Sequence, residues 1–307
     1  MKVLIVASYN KGRFAPFIQE QAEALKKAGC EVVFFGLQGK GLLGYLKNYP
    51  ALKQKIRVLR PEIVHAHYGL SGLLANLQRG VPVITTYHGS DINDPKVLRL
   101  SKVAMRLSAW NIFVSSRTME IAKPNKNYSL LPCGVDLTEL QLTSKTEARK
   151  QMNLDLKKRY VLFAGAFDNA VKNASLAKET VSKLTIESVE LLELKGYSRD
   201  EVTLLMCAAD VLLMTSLTEG SPQVIKEAMA CGCPIVSVDV GDVKERIAGL
   251  EGCFVAGTRT AGELANLLQQ AIAFDNKTSG RNRIVTDAMD NVLVAKKLIK
   301  VYEIVCG

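Results

Sequence analysis

The sequence lacks any hydrophobic run long enough to cross a membrane. Its 307 residues contain no stretch of about 18 uncharged apolar residues, the length that a membrane-spanning helix requires. The opening MKVLIVASYN becomes polar too early for a signal peptide. With 48% hydrophobic and 23% charged residues, the composition is that of a soluble globular chain. We therefore expect a folded, cytoplasmic protein.

The sequence also lacks the usual spacings of disulfide frameworks and metal sites. Seven cysteines are an odd number in a chain too long to need disulfides, so we interpret them as reduced thiols. Cys231 and Cys233 have no second cysteine pair or histidine nearby in sequence to complete a zinc site. His65 and His67 alternate on one strand, but no third ligand is evident, so support of the strand end is the favoured interpretation over metal binding. No D-x-D cluster stands on a suitable loop, so we expect no metal.

Two further absences exclude classes of function. Neither KVLIVASYNKGRF nor VLFAGAFDNAVKN contains G-x-G-x-x-G, which argues against a dinucleotide oxidoreductase. Residues 1–157 carry 23 Lys and Arg against 11 Asp and Glu, whereas the remainder carries 17 against 19. The basic residues are dispersed and not interleaved with aromatic residues, so we expect no nucleic-acid partner. The asymmetry fits an acidic membrane surface or a phosphorylated substrate, and a merely soluble basic surface stays an alternative.

Strand-like and helix-like segments alternate along the whole chain. KVLIVAS, RFAPFIQEQAEALKKAG and CEVVFFG predict a strand, a helix and a second, parallel strand. A new series begins at RYVLFAG, after a polar stretch. We therefore predict an α/β protein with two Rossmann-like doubly wound domains, over residues 1–157 and 158–285, and a long amphipathic helix that packs back on the first domain over 286–307. Ligands of such sheets bind beyond the carboxyl ends of the strands, here in a cleft between the domains.

One short segment, EGSPQVIKE, predicts a site for a phosphorylated ligand. Strand DVLLMTS leads to Glu219, Gly220 frees the backbone, Ser221 suits an N-cap and Pro222 suits the first helical position. A helix that begins at about Pro222 would present free amides to an anion, with Glu227 near enough to accept hydrogen bonds from ribose hydroxyls. This pattern predicts a nucleotide-sugar site, and ordinary surface glutamates are the alternative.

The same region carries a family resemblance. TSLTEGSPQVIKEAMACGCPIVSVDVGD resembles the signature region of the family 4 retaining glycosyltransferases, which have the GT-B fold. Both glutamates of that family's E-x7-E motif are present, as Glu219 and Glu227. TYHGSD at 86–91, LLPCGVDL at 130–137 and VLFAGAFDNAVKN at 161–173 also resemble family segments, in the family's order.

The resemblance implies roles for individual residues. Glu227 would hold the ribose of the donor, Glu219 would contact its sugar and phosphate, and Lys172 would neutralise the diphosphate leaving group. The implied donor-binding residues are Gly165, Lys172, Glu219, Gly220, Ser221, Pro222 and Glu227. The implied catalytic residues are His88, Glu219 and Lys172, with His88 at the reaction centre.

The implied acceptor site lies in the first domain. ASYNKGRFAPF takes the place of the family's Gly-rich loop, where Gly12 and the amides around Phe14 would approach an acceptor hydroxyl or phosphate. Lys11 and Arg13 would favour anions, and a solvated basic turn is the alternative. Asp91 would either support its loop or contact the acceptor.

The expected activity is transfer of a sugar, with retention, from a UDP-sugar or GDP-sugar to a saccharide or lipid-linked acceptor in surface polysaccharide biosynthesis, without cofactor or metal. GLLGYLKNYPALKQKIRVLR mixes basic and apolar residues, which fits peripheral association with an anionic inner membrane face or an ordinary helix that closes the core. The family usually has Arg where this chain has Ala166, and the stretch from Lys172 to Asp210 is short. These departures leave a non-catalytic nucleotide-sugar-binding module of the same fold as the alternative.

Overall fold

The computed structural model describes residues 1–140 and 142–307, which form two compact units. Unit 1 contains Met1–Gly134 and Met289–Gly307, and unit 2 contains Val135–Ala288. Each unit holds one parallel sheet with helices between successive strands, so the predicted α/β class with two doubly wound sheets is confirmed. The units divide between residues 134 and 135, whereas composition placed the division near 157.

Six parallel strands form the sheet of unit 1, in the order β2–β1–β3–β4–β5–β6. The strands β1 to β6 are Lys2–Ser8, Glu31–Leu37, Ile63–His67, Val83–Tyr87, Trp110–Phe113 and Tyr128–Leu130. The helices α1 to α7 are Pro16–Lys27, Gly41–Leu46, Tyr49–Leu59, Gly69–Ala75, Ser90–Asn93, Pro95–Leu107 and Ser116–Ala122. Residues 3–7 of β1 are fully buried. A near-continuous apolar strand of this kind is typical of a parallel sheet that is covered on both faces.

Five parallel strands form the sheet of unit 2, in the order β11–β10–β9–β7–β8. The strands β7 to β11 are Arg159–Phe163, Val189–Glu193, Val211–Met214, Ile235–Val238 and Cys253–Ala256. The helices α8 to α14 are Lys145–Gln151, Ala174–Ser182, Arg199–Ala208, Gln223–Ala230, Val243–Ile247, Ala261–Phe274 and Gly280–Thr286. A short 3-10 turn, Ala170–Lys172, follows β7. Among the described residues, no helix combines the length and apolar composition that a bilayer crossing demands.

The C-terminal helix predicted over residues 286–307 is present, but it begins later, at Asn291. Helix α14 ends at Thr286, and α15 runs over Asn291–Cys306. Ala288 has a left-handed backbone with φ of 51°, which interrupts a right-handed helix. The Asp290 side chain then accepts a hydrogen bond from the Val292 amide and caps α15. Helix α15 lies in unit 1 and packs on the core formed by β1 and α1.

Both sheets have one point at which the strand order reverses. It lies between β1 and β3 in unit 1, and between β7 and β9 in unit 2. At such a switch point the helices that follow the two strands diverge to opposite faces, which leaves a crevice beyond the strands' carboxyl ends. Most of the candidate site residues lie in the loops at these two points.

Candidate functional site

The loop after β7 places Lys172 at the switch point of unit 2. A Cβ atom added to Gly165 would lie 2.7 Å from Lys172 Cγ, so only glycine allows the lysine chain to cross the end of the strand. The Asn169 side chain accepts a hydrogen bond from the Val171 amide and caps the short turn. The Thr215 hydroxyl, just after β9, lies 2.9 Å from the carbonyl oxygens of Lys172 and Asn173. The two loops at the switch point are therefore held together.

Lys172 and Glu219 form an ion pair at this point. The Lys172 ammonium donates to Glu219 Oε1 at 2.7 Å, and the two side chains are only 20% and 17% exposed. Water screens such a partly buried pair less than a surface pair, so its charges act strongly on a neighbouring ligand. The structure thus brings together two of the three residues for which the resemblance implied catalytic roles.

The helix after Glu219 begins one residue later than the sequence predicted. Helix α11 starts at Gln223, Pro222 occupies its N-cap position, and no side chain caps it. The Ser221 hydroxyl does not cap the helix because it donates to Asp242 Oδ2 at 2.8 Å. Asp242 also accepts a hydrogen bond from Arg246 Nε. Local sequence gave no sign of this partner, which lies 21 residues further along the chain.

Gly220 lies in a tight contact between two loops. Gly241 has φ of +58°, and a Cβ atom there would lie 2.8 Å from the Gly220 carbonyl oxygen. A side chain at position 241 would therefore push the Glu219–Pro222 loop away. Gly241 and Asp242, which end the quoted family signature, thus contact the Glu219–Pro222 loop, and no local pattern in the sequence indicated these contacts.

Glu227 lies on α11 and is 7% exposed. Arg199 Nη1 donates to Glu227 Oε1 at 2.6 Å. Arg199 opens helix α10, where a capping box between Ser198 and Glu201 fixes the first turn. Arg199 could not be found from the sequence, since the pair spans 28 residues and no family motif marks it. The spacing of the motif predicted a carboxylate near the start of the helix. In the structure that carboxylate is also buried and paired with a cation.

The loop that contains Ala166 is anchored to the edge strand β8. The Phe167 amide donates to Glu193 Oε2 at 2.6 Å, and Lys195 pairs with Asp168 at 2.6 Å. Ala166 itself contributes no cation, whereas Lys172, in the same loop, does. The described residues contain no group of three His, Cys, Asp or Glu side chains arranged to hold a metal ion.

In unit 1, a cavity of about 670 Å³ opens beyond the carboxyl ends of β1 and β3. Four of the predicted acceptor residues line it, namely Lys11, Arg13, Phe14 and Asp91. Gly12 belongs to the same turn and has φ of +68°, a left-handed conformation that favours glycine. Tyr45, Tyr68 and Leu70 also line the cavity, so it combines cationic and apolar walls.

Asp91 supports its loop and also lines the cavity. Its carboxylate accepts hydrogen bonds from the backbone amides of His88 at 3.0 Å, Gly89 at 2.9 Å and Gly69 at 3.0 Å. Burial raises the pKa of Asp91 to about 6, while these amide hydrogen bonds act in the opposite direction. The carboxylate therefore ties the turn after β3 to the turn after β4.

His88 lies against three aromatic rings of unit 1. Its ring centroid is 4.6 Å from that of Tyr68, 4.9 Å from that of Phe17 and 5.2 Å from that of His67. Tyr68 has φ of 73° and ψ of 148°, a backbone conformation that strains any residue other than glycine. Such strain concentrates at functional sites, so Tyr68 joins the candidate residues although no sequence motif pointed to it.

Comparisons with known proteins match both units. The family profile described as Glycosyltransferase Family 4 matches residues 15–139, and the profile described as Glycosyl transferases group 1 matches residues 180–273. TuaC of Bacillus subtilis, whose name assigns it to teichuronic acid biosynthesis, is 26% identical over 217 residues. The match covers 62% of this chain and 56% of TuaC. N-acetyl-alpha-D-glucosaminyl L-malate synthase of Bacillus anthracis is 25% identical over 61% of this chain and 58% of its own length.

Solved structures share the fold over nearly the whole chain. Sucrose-phosphate synthase of Thermosynechococcus elongatus superposes with a TM-score of 0.85 at 18% identity, covering 99% of this chain and 98% of that one. The Anabaena protein HepE in complex with UDP-glucose superposes with a TM-score of 0.75 at 16% identity, covering 99% of both chains. At these identities the likeness establishes the fold alone.

Proposed function

Since the chain belongs to the family 4 glycosyltransferases of GT-B fold, we propose that it moves a sugar from a UDP-sugar or GDP-sugar to a saccharide or glycolipid acceptor, with retention of configuration. In this proposal unit 2 binds the donor and unit 1 binds the acceptor. HepE is a neighbour with UDP-glucose bound, which makes UDP-glucose the first donor to test. The name of TuaC supports an acceptor in surface polysaccharide biosynthesis.

The observation that carries the proposal is the Lys172–Glu219 pair at the switch point of unit 2. A diphosphate would compete with Glu219 for the Lys172 ammonium and would leave the Glu219 carboxylate to accept hydrogen bonds from sugar hydroxyls. When the bond between sugar and phosphate breaks, negative charge grows on the diphosphate. A cation already fixed there stabilises the transition state more than the ground state. We propose that this lysine takes the place that a metal ion would otherwise fill.

The donor's ribose is assigned to Glu227. Glu227 Oε1 accepts a hydrogen bond from Arg199 at 2.6 Å. The remaining acceptor positions of the carboxylate would bind the ribose hydroxyls. Arg199 would also lend positive charge near the nucleotide, partly offsetting the Ala166 substitution.

Hydrolysis of the donor tests the enzyme without knowledge of the acceptor. We expect the protein to release free glucose slowly from UDP-glucose or a related donor. Lys172→Met should lower this rate about 100-fold, the usual effect of removing one group that stabilises an oxyanion. Lys183→Met is the matched control, because Lys183 forms a surface pair with Glu179. Stabilisation of the fold by donor without any turnover would instead support the non-catalytic module.

Two additional measurements test the finer parts of the proposal. The first anomer released, observed by NMR, should have the donor's configuration if the reaction retains it. Turnover should survive an excess of EDTA if Lys172 replaces a metal ion. An inverted product would overturn retention, and loss of turnover that Mg²⁺ restores would overturn metal independence.

A further inference from the structure

All three histidines of the chain lie in one stack in unit 1. The ring centroids of His65 and His67 are 4.5 Å apart, and those of His67 and His88 are 5.2 Å apart. His65 and His67 project from β3, whereas His88 follows β4. Within the stack, His67 Nδ1 lies 3.0 Å from His88 Nε2, which is a hydrogen bond between two imidazoles.

The two histidines behind His88 are fully buried. Burial lowers the pKa of His65 to about 3. Burial also lowers the pKa of His67 well below its usual range, and the neighbouring histidines add to this effect. Both rings are therefore neutral, so each carries one ring hydrogen. His65 has a partner for each nitrogen, since Nδ1 lies 2.7 Å from the Tyr302 hydroxyl and Nε2 lies 2.8 Å from the Thr86 hydroxyl.

His67 differs from His65 at one atom. His67 Nε2 is buried and has no hydrogen-bond partner among the described residues. If His67 carried its hydrogen on Nε2, the stack would contain a buried N–H group without an acceptor, which native proteins rarely contain. If His67 carries it on Nδ1, the unpartnered atom is a lone pair, and the hydrogen lies in the bond to His88.

We infer that His67 is a positioning residue that donates its Nδ1 hydrogen to His88 Nε2 and thereby fixes His88 as the Nδ1–H tautomer. In a neutral imidazole the hydrogen bond made by one nitrogen decides where the hydrogen of the ring resides. His88 would then present a hydrogen-bond donor from Nδ1, while its Nε2 lone pair is occupied. The inference about the tautomer rests on the proposed function in one respect, which is that His88 acts at the reaction centre.

The tautomer decides which chemistry His88 supplies. His88 Nδ1 lies 3.9 Å from Cys133 Sγ, a long contact to a weak acceptor. A sugar hydroxyl or phosphate oxygen is a stronger acceptor for the same N–H group. His88 would therefore orient an oxygen of the substrate by donating to it, and would not remove a proton through Nε2.

The tautomer can be read directly from the full-length protein. Long-range ¹H–¹⁵N NMR spectra distinguish the protonated from the unprotonated nitrogen of each ring, and three histidines give three patterns. His88→Gln and His67→Asn each delete one pattern and so assign the spectrum. We expect His88 to carry its hydrogen on Nδ1. A hydrogen on His88 Nε2 would overturn the inference, whether or not the protein turns over a donor.

Two substitutions at His67 separate positioning from packing. The amide of His67→Asn can replace the Nδ1 donor, whereas His67→Leu fills the space without donating. We expect His67→Leu to lower kcat about tenfold with little change in the KM for donor, and His67→Asn to restore most of the rate. Equal losses in both variants, or an unchanged His88 tautomer in His67→Leu, would contradict the inference. If the leucine variant does not fold, the wild-type spectrum still decides.

Discussion

At the scale of single residues, the absence of a side chain at Gly165 determines where a cation lies. Gly165→Ala would place a Cβ atom 2.7 Å from Lys172 Cγ, near the base of the lysine side chain where little adjustment is available. We expect the substitution to displace the ammonium group from Glu219 and to lower donor turnover about 100-fold, because catalysis depends steeply on position. Donor hydrolysis measures the effect.

Gly262→Ala is the control for this substitution. Gly262 lies in α13, and a Cβ atom there meets nothing within 4 Å. It should leave turnover unchanged and stabilise the helix by up to about 1 kcal/mol. Full activity of Gly165→Ala would show that donor turnover does not depend on the present position of the Lys172 side chain.

Asp91 gives the stability of the protein a specific pH dependence. Burial raises its pKa to about 6, above the value of 3.8 for an unperturbed Asp, so the folded state holds the proton more tightly than the unfolded state. This contribution to stability is fully present below about pH 4 and is lost as the pH rises through about 6. The Asp91→Asn variant has no carboxyl group at this position, so it lacks this pH-dependent contribution to stability.

The free energies of unfolding of wild type and Asp91→Asn should therefore diverge with pH. Relative to the variant, we expect the wild type to lose on the order of 2 kcal/mol between pH 4 and pH 7. Urea unfolding of both proteins at several pH values measures this difference. The other carboxylates titrate in the same way in both proteins, so their contributions cancel in the difference. A difference that is constant or grows in favour of the wild type would contradict the assigned direction.

Sequence suggested candidate site residues, but it did not indicate the partners that hold them. The spacing of Glu219 and Glu227 follows from a strand, a turn and a helix, all of which are local. The partners are not local, since Glu227 binds Arg199, 28 residues before it, and Ser221 binds Asp242, 21 residues after it. Propensity describes only neighbours along the chain, so it assigned Ser221 the capping role that the tertiary contact removes.

At the scale of elements, alternation of apolar runs predicted the parallel sheets, and its failures have specific causes. Strand β11, Cys253–Ala256, was not predicted because its four residues are too few to show a period. The predicted C-terminal helix begins late, at Asn291, because the left-handed backbone at Ala288 cannot belong to a right-handed helix. The basic apolar stretch before β3 became two helices, α2 and α3, and α3 closes the core through Leu52 and Ile56.

Asp210 links α8 to the sheet of unit 2. Its carboxylate accepts hydrogen bonds from Arg149, Arg159, Lys145 and the Tyr160 amide, at 2.7–3.1 Å. Asp210→Asn would leave the buried Arg149 without its counter-charge. We expect the free energy of unfolding to fall by about 3–5 kcal/mol, measured by urea denaturation.

Asp168→Asn is the matched control for Asp210→Asn. It also breaks a pair with a cation, Lys195, but both partners are largely exposed, so the stability should change little. Equal losses of stability in the two variants would show that burial of Asp210 does not determine how much its ion pairs contribute to stability.

At the scale of the whole molecule, charge and exposed apolar residues coincide on α2 and α3. Leu43 is 78% exposed and Val58 is 77% exposed. Six exposed cations lie in the same stretch of the chain, namely Lys40, Lys47, Lys53, Lys55, Arg57 and Arg60. We propose that this surface holds the protein at an anionic inner membrane face, where a lipid-linked acceptor would reside.

Flotation with phosphatidylglycerol vesicles tests this proposal. We expect the protein to float at low salt and to stay in solution at high salt, since salt screens attraction between exposed charges. The double variant Leu43→Ser and Val58→Ser should float less, whereas Val285→Ser, an exposed position in unit 2, should behave as wild type. Failure of the wild type to float at any salt concentration would remove the membrane from the proposal.

The reversal of strand order at equivalent points of both sheets has a practical consequence for protein engineering. The loops after the first and third strands of each unit carry most of the candidate site residues, while the buried strands beneath them set the framework. Random substitution confined to the loops after β1, β3, β7 and β9 would sample new donor and acceptor preferences at small cost to solubility or yield. The same number of changes spread over the strands would mostly yield misfolded chains.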